Sequence, residues 1–428
     1  MRLFERVRAS TGIDRKGGES VRRNLLMAGV VATGMSLAAM TQSATAQVSD
    51  NVIKLGVLTD MSSLYADING PGAVAATQMA IEDAGGSING KKIELVQADV
   101  QNKADVGTSI AAKWYSAEGV DVILGAAASS SSLAVSGVAG DKKRVFLALD
   151  PATSDLTSKA CSAYTVHWVY DTIALSNGTG SAVVKAGGKT WYFLTADYAF
   201  GHALERDVTT VVNANGGKIL GSARHPINTS DLSAFLIQAQ ASKAEVIGLA
   251  NAGGDTINSI KQAAEFGIIK GGQKLAGLLV FVTDVHSIGL QQAQGLQLTE
   301  AFYWDMNDGT RAFSKRFAEK RGGRMPTSIQ AGYYEATSHY LAAVKATGTD
   351  NAEAVMAWMK ANPTDSKLFG KGYIRADGRK IHDMYLFEVK KPSESKGPYD
   401  YYKLIRTIPG EEAFRPMDKG ECPLVKKG

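Results

Sequence analysis

From Val52 onward, apolar or β-branched runs alternate with stretches of helical spacing, and this alternation restricts the possible folds more than any other feature. Strands are expected at Val52–Thr59, 92–99, 120–125 and 145–149. Their near-continuous apolar character is that of parallel strands buried on both faces. Helices are expected between them at 72–84, 105–118 and 131–141. In the first of these, Ala73, Ala76, Ala80 and Ala84 recur at helical spacing, which permits close packing on a sheet. Alternating β and α elements imply a parallel sheet with helices on both faces.

The pattern then restarts. A short extended crossing at 165–169 leads to a helix at 171–185, a strand at Thr190–Ala196, a helix at 201–214 and a strand at 218–222. A helix at 231–241, a strand at 245–250, a helix at 255–265 and strands at 275–281 and 295–303 follow. These make a second α/β lobe. Past Trp304 come amphipathic helices at 310–321, 329–347 and Ala352–Ala361, then a hairpin over 373–389 turning at Asp377-Gly378. With no partner sheet of their own, these elements are expected to return to the first lobe. The expected division is a first lobe from 47 to 165, a second from 166 to 305, and a return with a C-terminal tail over 306–428. Lobes joined by several crossings enclose a cleft, and ligands of open α/β sheets bind there, beyond the strand C-terminal ends.

Residues 1–46 read as a secretory signal. Arg22-Arg23 precedes an apolar run from Leu25 to Met40, and Ala44-Thr45-Ala46 offers a small-x-small cleavage site. That run is 16 residues long and diluted with Gly, Ser and Thr, short of the ~20 a spanning helix needs. The surroundings of the arginine pair fit a twin-arginine signal only partly, because Val21 stands where Ser or Thr is wanted, so the general secretory route is preferred. The leader carries seven Lys/Arg and three Asp/Glu, hence +4 of the formal net charge of +5. The remaining chain is close to neutral, which removes the argument for nucleic acid or an anionic membrane as partner. Cys161 and Cys422 are the only cysteines, and in an oxidising compartment they are expected to pair.

The turns after the strands carry the chemistry. Ala126-Ala127-Ala128-Ser129-Ser130-Ser131-Ser132 combines small residues, hydroxyl donors and a helix N-terminus, an arrangement suited to a carboxylate. One or two serines would suffice for an ordinary N-cap. Asp150-Pro151-Ala152-Thr153-Ser154 forms a second strand-to-helix turn beside it. Asp60-Met61-Ser62-Ser63-Leu64-Tyr65 offers Tyr65 as an aromatic wall. Asp197-Tyr198-Ala199-Phe200-Gly201 could close an aromatic lid from the second lobe.

These segments, together with Ile53–Thr59, Gly70–Asp83 and the Asp377-Gly378-Arg379 turn, resemble one family in their order and spacing over about 52–389. It is the type I periplasmic binding proteins of the branched-chain amino acid ABC transporters, leucine-binding proteins among them. The resemblance implies two doubly wound α/β lobes joined by a multi-strand hinge. It implies a periplasmic protein that uses no cofactor and hands a carboxylate-bearing solute to a membrane ABC permease; a monomer is the default expectation, since the sequence is silent on oligomeric state. It places the ligand carboxylate on Ser129, with Ser130, Ala152 and Thr153 adding donors, and aromatic contacts on Tyr65, Phe200 and Tyr198. An ammonium would be met in Val282-Thr283-Asp284-Val285-His286, at Thr283 or Asp284. The turn Asn251-Ala252-Gly253-Gly254-Asp255 is small and polar where the family has an aromatic, so an amine-free organic acid stays open as ligand.

Two other classes were weighed. An exported hydrolase would want a G-x-S-x-G elbow, an H-E-x-x-H pair or clustered His and Cys, and the six histidines are scattered instead. The stretch 86–92 lacks phosphate-loop spacing and reads as a hairpin turn. A sensory protein binding a small, possibly aromatic acid uses the same fold. A fused kinase or transmembrane segment would have favoured it, and neither is read in the sequence, so transport is preferred.

Overall fold

The computed structural model describes residues 48–426, so the expected signal lies outside them. In β1 (Val52–Thr59) the last five residues are all buried, because the strand is central in its sheet. That sheet adds β2 (Ser87–Ile88), β3 (Lys91–Asp99), β4 (Val122–Gly125), β5 (Val145–Ala148) and β6 (Thr165–His167) in the order β2-β3-β1-β4-β5-β6. All neighbours pair in parallel except β2 with β3, the hairpin expected at 86–92, which turns at Asn89-Gly90. Its helices are α1 (Gly70–Asp83), α2 (Ala104–Ser116) and α3 (Ser129–Lys142). Asn69 caps α1 by accepting from the Gly70 N–H, and Pro71 occupies the first turn, where its missing N–H costs nothing. On one face Leu58, Ile123 and Phe146 pack with Trp114 and Val135 of the covering helices. On the other, Val57, Leu124 and Leu147 share a core with Ala73 and Ala76 of α1.

The extended crossing expected at 165–169 is in part β6, the sixth strand of this sheet. Only Trp168–Tyr170 beyond it passes on to α4 (Thr172–Leu175), a π turn (Ser176–Gly180) and α5 (Ser181–Lys185). The second sheet has the order β10-β9-β7-β8, all parallel, from β7 (Thr190–Ala196), β8 (Lys218–His225), β9 (Val246–Ala250) and β10 (Lys274–Gly277). Helices α6 (Ala199–Ala214), α7 (Ser233–Ala241) and α8 (Gly254–Glu265) connect them.

From the end of the second sheet onward the fold departs from the expected elements. The strand read over 275–281 stops at Gly277. The segment expected as a loop at Val282–His286 is helical instead, within α9 (Val282–Ile288), followed by α10 (Leu290–Ala293). The run is apolar on every side, and periodicity cannot separate a buried strand from a buried helix in such a stretch. Next, β11 (Gln297–Glu300) leaves the second sheet. After α11 (Asp308–Lys320), α12 (Ser328–Thr347) and α13 (Ala352–Ala361), the chain does build sheets of its own. Strands β12 (Thr364–Ser366), β13 (Gly370–Ile374) and β14 (Lys380–Ile381) form one antiparallel sheet. The hairpin turn lies at Asp377-Gly378 as expected, with Gly378 at φ +83°. Finally, the rest of the expected hairpin does not fold back on it: β15 (Met384–Val389) pairs with β11 and with β16 (Tyr402–Ile408) in a second antiparallel sheet. α14 (Gly410–Ala413) follows, and Cys161 is disulfide-bonded to Cys422. α12 packs against α1, so closely that a Cβ on Gly72 would lie 2.1 Å from Gln330 Nε2. No helix among the described residues is long and apolar enough to cross a membrane.

Candidate functional site

The turn after β4 is strained. Gly125, Ala126 and Ala127 have φ of +107°, +76° and +48°, a left-handed run that alanine adopts at a cost. A side chain at Gly125 is impossible, since a Cβ would lie 1.9 Å from the Tyr333 hydroxyl. Two hydrogen bonds hold the turn: Ala126 N–H donates to Leu58 O at 2.5 Å, and Ala127 N–H to Asp150 Oδ2 at 2.7 Å. The result points the N-terminus of α3, with Ser129 at its first position, toward the turn after β5.

The two expected donor turns are locked to each other. Ser129 Oγ accepts from Ala152 N–H at 3.4 Å and Thr153 N–H at 3.2 Å. Its own proton is thereby left for another acceptor. Thr153 Oγ1 accepts from Asp155 N–H and caps a 3-10 turn.

Aromatic walls come from both lobes. Asp60 organises the loop after β1: its carboxylate accepts from the N–H groups of Ser62, Ser63 and Tyr65 and from Asn102 Nδ2. That loop presents Tyr65, whose hydroxyl is hydrogen-bonded to the Tyr198 hydroxyl from the start of α6. Burial pushes the pKa of both phenols above the usual value, so both stay neutral. Tyr198 and Phe200 place their ring centroids 5.8 Å apart. The small turn 251–255 follows from this closeness. A Cβ on Gly253 would come within 2.8 Å of Leu64 O and 3.0 Å of Tyr65 Cδ1, so no aromatic fits there while the two loops meet.

Between these walls lies a small cavity of about 30 Å³. Tyr65, Ile68, Asn69, Tyr170, Tyr198, Phe200, Ala252, Leu279, Phe281 and Ile329 form its sides, and Ala127–Ser129 with Asp150–Ala152 form one end. Of the expected site residues, Ser129, Ala152, Tyr65, Tyr198 and Phe200 are brought together. Ser130, Thr153 and Asp284 are not among the lining residues. Asp284 Oδ2 accepts from Phe281 N–H and caps α9. It borders a separate surface pocket with Asp67 and Thr283, and burial pushes its carboxyl up to about 7. Asp255, at the small turn, spends its carboxylate on the Asn228 and Thr229 N–H groups.

Sequence reasoning missed Asp150, Tyr170, Leu279, Phe281 and Ile329 as cavity residues. Asp150 stood in a quoted turn, where an acidic residue reads as an ordinary cap. The others lie in apolar runs that give no sign of facing a cleft. Among the described residues, no group of three or more His, Cys, Asp and Glu could hold a metal ion.

A family model described as periplasmic binding protein matches residues 52–397. The crystal structure of a periplasmic binding protein from Burkholderia mallei is 52% identical, with a TM-score of 0.87 over 88% of this chain and 100% of that one. A branched chain amino acid ABC transporter periplasmic ligand-binding protein from Burkholderia xenovorans is 41% identical, with a TM-score of 0.77 over 87% of this chain and 99% of that one. An ABC transporter solute-binding protein from Rhodopseudomonas palustris, solved in complex with benzoate, shares the fold at 20% identity, with a TM-score of 0.75 over 84% and 97% of the two chains. No curated protein sequence matches. Two doubly wound lobes, a cavity closed by residues of both, and a family match over most of the chain converge: the chain belongs to the type I periplasmic binding proteins, the solute-binding components of ABC transporters.

Proposed function

We propose that this protein captures a small carboxylate-bearing solute with an aliphatic or aromatic body and delivers it to an ABC permease without bond chemistry. The observation that carries this reading is the polarity of the cavity. One polar end combines the Ser129 hydroxyl and Asp150 with the N-terminus of α3, while the sides, Asn69 apart, are aromatic and aliphatic. Such an end suits a carboxylate, and such sides suit a compact apolar body. The description of the Burkholderia xenovorans relative as a branched chain amino acid binder supports the same class.

In this reading Ser130 and Thr153 act through the turns they complete, and Asp284 acts through the α9 cap. The first lobe comprises 47–165 and 306–428, the second 166–305, and the first crossing runs through Trp168–Tyr170, just past that boundary. Residues 1–46 are removed on export to the periplasm, and the mature chain works as a monomer. Closure brings Tyr65 and Tyr198 together over the bound solute, a hinge motion favoured by contacts that both lobes make.

A thermal-shift screen of the mature protein against amino acids, aliphatic acids and aromatic acids tests the proposal. A binder present at 100 times its Kd stabilises the fold by about 2.7 kcal/mol, a clear rise in Tm. A rise with at least one acid is expected. A rise only with sugars or cations would refute the carboxylate reading.

A further inference from the structure

Among the described residues, Asp150 is the one acidic residue that lines the cavity, and no Lys, Arg or His lines it. The residue is 6% exposed. Its two oxygens are in different situations. Oδ2 accepts from Thr59 Oγ1 at 3.0 Å, Ala127 N–H at 2.7 Å and Tyr333 OH at 3.0 Å. Oδ1 is buried and makes no protein hydrogen bond. The groups around it are Asp60 after β1, Tyr333 on α12 and Tyr170 in the crossing, whose hydroxyl donates to the Asp150 backbone carbonyl. None of them supplies a positive charge.

If the solute is a carboxylate held at Ser129, as the reading above has it, two anions share one wall of a cavity without a cation. Like charges so placed do not both ionise, and a proton is the only neutralising group the site admits. Three donors already occupy Oδ2, so that proton belongs on Oδ1, converting the bare oxygen into a donor. We infer that Asp150 is a specificity-determining residue that binds the solute carboxylate in its protonated form, so that an ionised Asp150 takes up one proton as the solute anion enters. The proton comes from solvent and stays on Oδ1, hydrogen-bonded to a solute oxygen; the complex gains no net charge. The class of solute selected is a monocarboxylate, and an added amine is not required.

Ionisation of the site is suited to this. Burial, with a lesser contribution from the Asp60 charge, pushes the carboxyl up to about 7 against its three donors. An unfolded aspartate ionises near 4. The stability contributed by protonated Asp150 is therefore full below pH ~4 and is lost as pH rises through about 7.

The test is calorimetry with benzoate and with leucine at pH 6, 7 and 8, in phosphate and in Tris, whose different ionisation heats report protons taken up. For whichever acid binds, uptake approaching one proton at pH 8 is expected, with Kd rising roughly five- to sixfold between pH 7 and 8. In Asp150→Asn, whose amide N–H stands in for the acid O–H, Kd should no longer change with pH. Tyr333→Phe removes a donor to the ionised form and should move the pH profile upward, which keeps the proposal testable if the asparagine variant folds poorly. Thermal melts of ligand-free wild type and Asp150→Asn supply a ligand-independent check: their Tm difference should change between pH 5 and 8. A pH-independent Kd, a flat Tm difference, or leucine binding that tightens with rising pH would each overturn the proton-coupled role while leaving carboxylate capture standing. Binding of neither acid at any pH would refute both.

Discussion

Ser129 Oγ stands between two backbone N–H groups and the cavity, so its substitution has two effects. Alanine removes a donor to the charged solute and also leaves the Ala152 and Thr153 N–H groups without their acceptor. Loss of a hydrogen bond to a charged group costs about 1.5–3 kcal/mol. Ser129→Ala should therefore weaken binding roughly 10- to 150-fold by calorimetry. An unchanged Kd would show that the hydroxyl does not face the solute. Ser129 was legible in the sequence because four serines after three alanines exceed what a helix cap needs. Asp150 was not, because its effect depends on what fails to surround it: no cation, and one oxygen without a partner. Such absences belong to three-dimensional neighbours drawn from β1, β4, the crossing and α12. A linear reading has no access to them.

Among the elements, the two-residue β14 and Arg379 just before it have an influence out of proportion to their length. Arg379, fully buried, donates to Trp168 O at 2.6 Å and Tyr170 O at 2.9 Å, the carbonyls of the crossing between the lobes. Beside it Lys380 is paired with Glu335 of α12, whose Oε2 also accepts from Trp168 Nε1 at 2.8 Å. Burial alone would raise the Glu335 carboxyl, but the Lys380 charge and the hydrogen bonds from Lys380, Ser366 and Trp168 together outweigh it and hold the carboxyl below its usual value. Removing one member of such a pair strands the other, at a cost of about 3–5 kcal/mol. Lys380→Met should lower stability by that amount in urea titration, and a loss under ~1 kcal/mol would show that the pair is replaceable. The long elements of both lobes were legible because their apolar runs are continuous and the turns between them are rich in Gly, Asp and Ser. β12–β14 were missed beyond their turn because they are two to five residues long. β16 was missed because its middle five residues are exposed, so no apolar alternation marks it.

At the scale of the molecule, solute and hinge are linked through the same few residues. Tyr170 lies in the crossing, lines the cavity and donates to Asp150 O, while its own carbonyl receives Arg379. The cavity cannot widen without moving the strap that joins the lobes. The disulfide acts over a longer range. Cys161 precedes β6 and Cys422 follows α14, a separation of 261 residues that encloses the crossing, the second sheet and every helix from α4 to α14. This has a mechanical meaning. A molecule stretched by its two ends is a closed ring with one long free strand and a stub. The ring transmits force across the S–S bond without paying out its contour. Under oxidising conditions, full extension should release only the roughly 115 residues ahead of Cys161 and beyond Cys422, on the order of 400 Å. After reduction the same pull should yield about 1,300 Å from the roughly 380 residues described. Optical tweezers would read that threefold difference directly, and equal lengths in the two conditions would mean that the bond does not form in solution. The covalent clip shields everything from β6 to α14 from tension applied at the ends, while the cavity end built by Ser129 and Asp150, ahead of Cys161, unfolds under it.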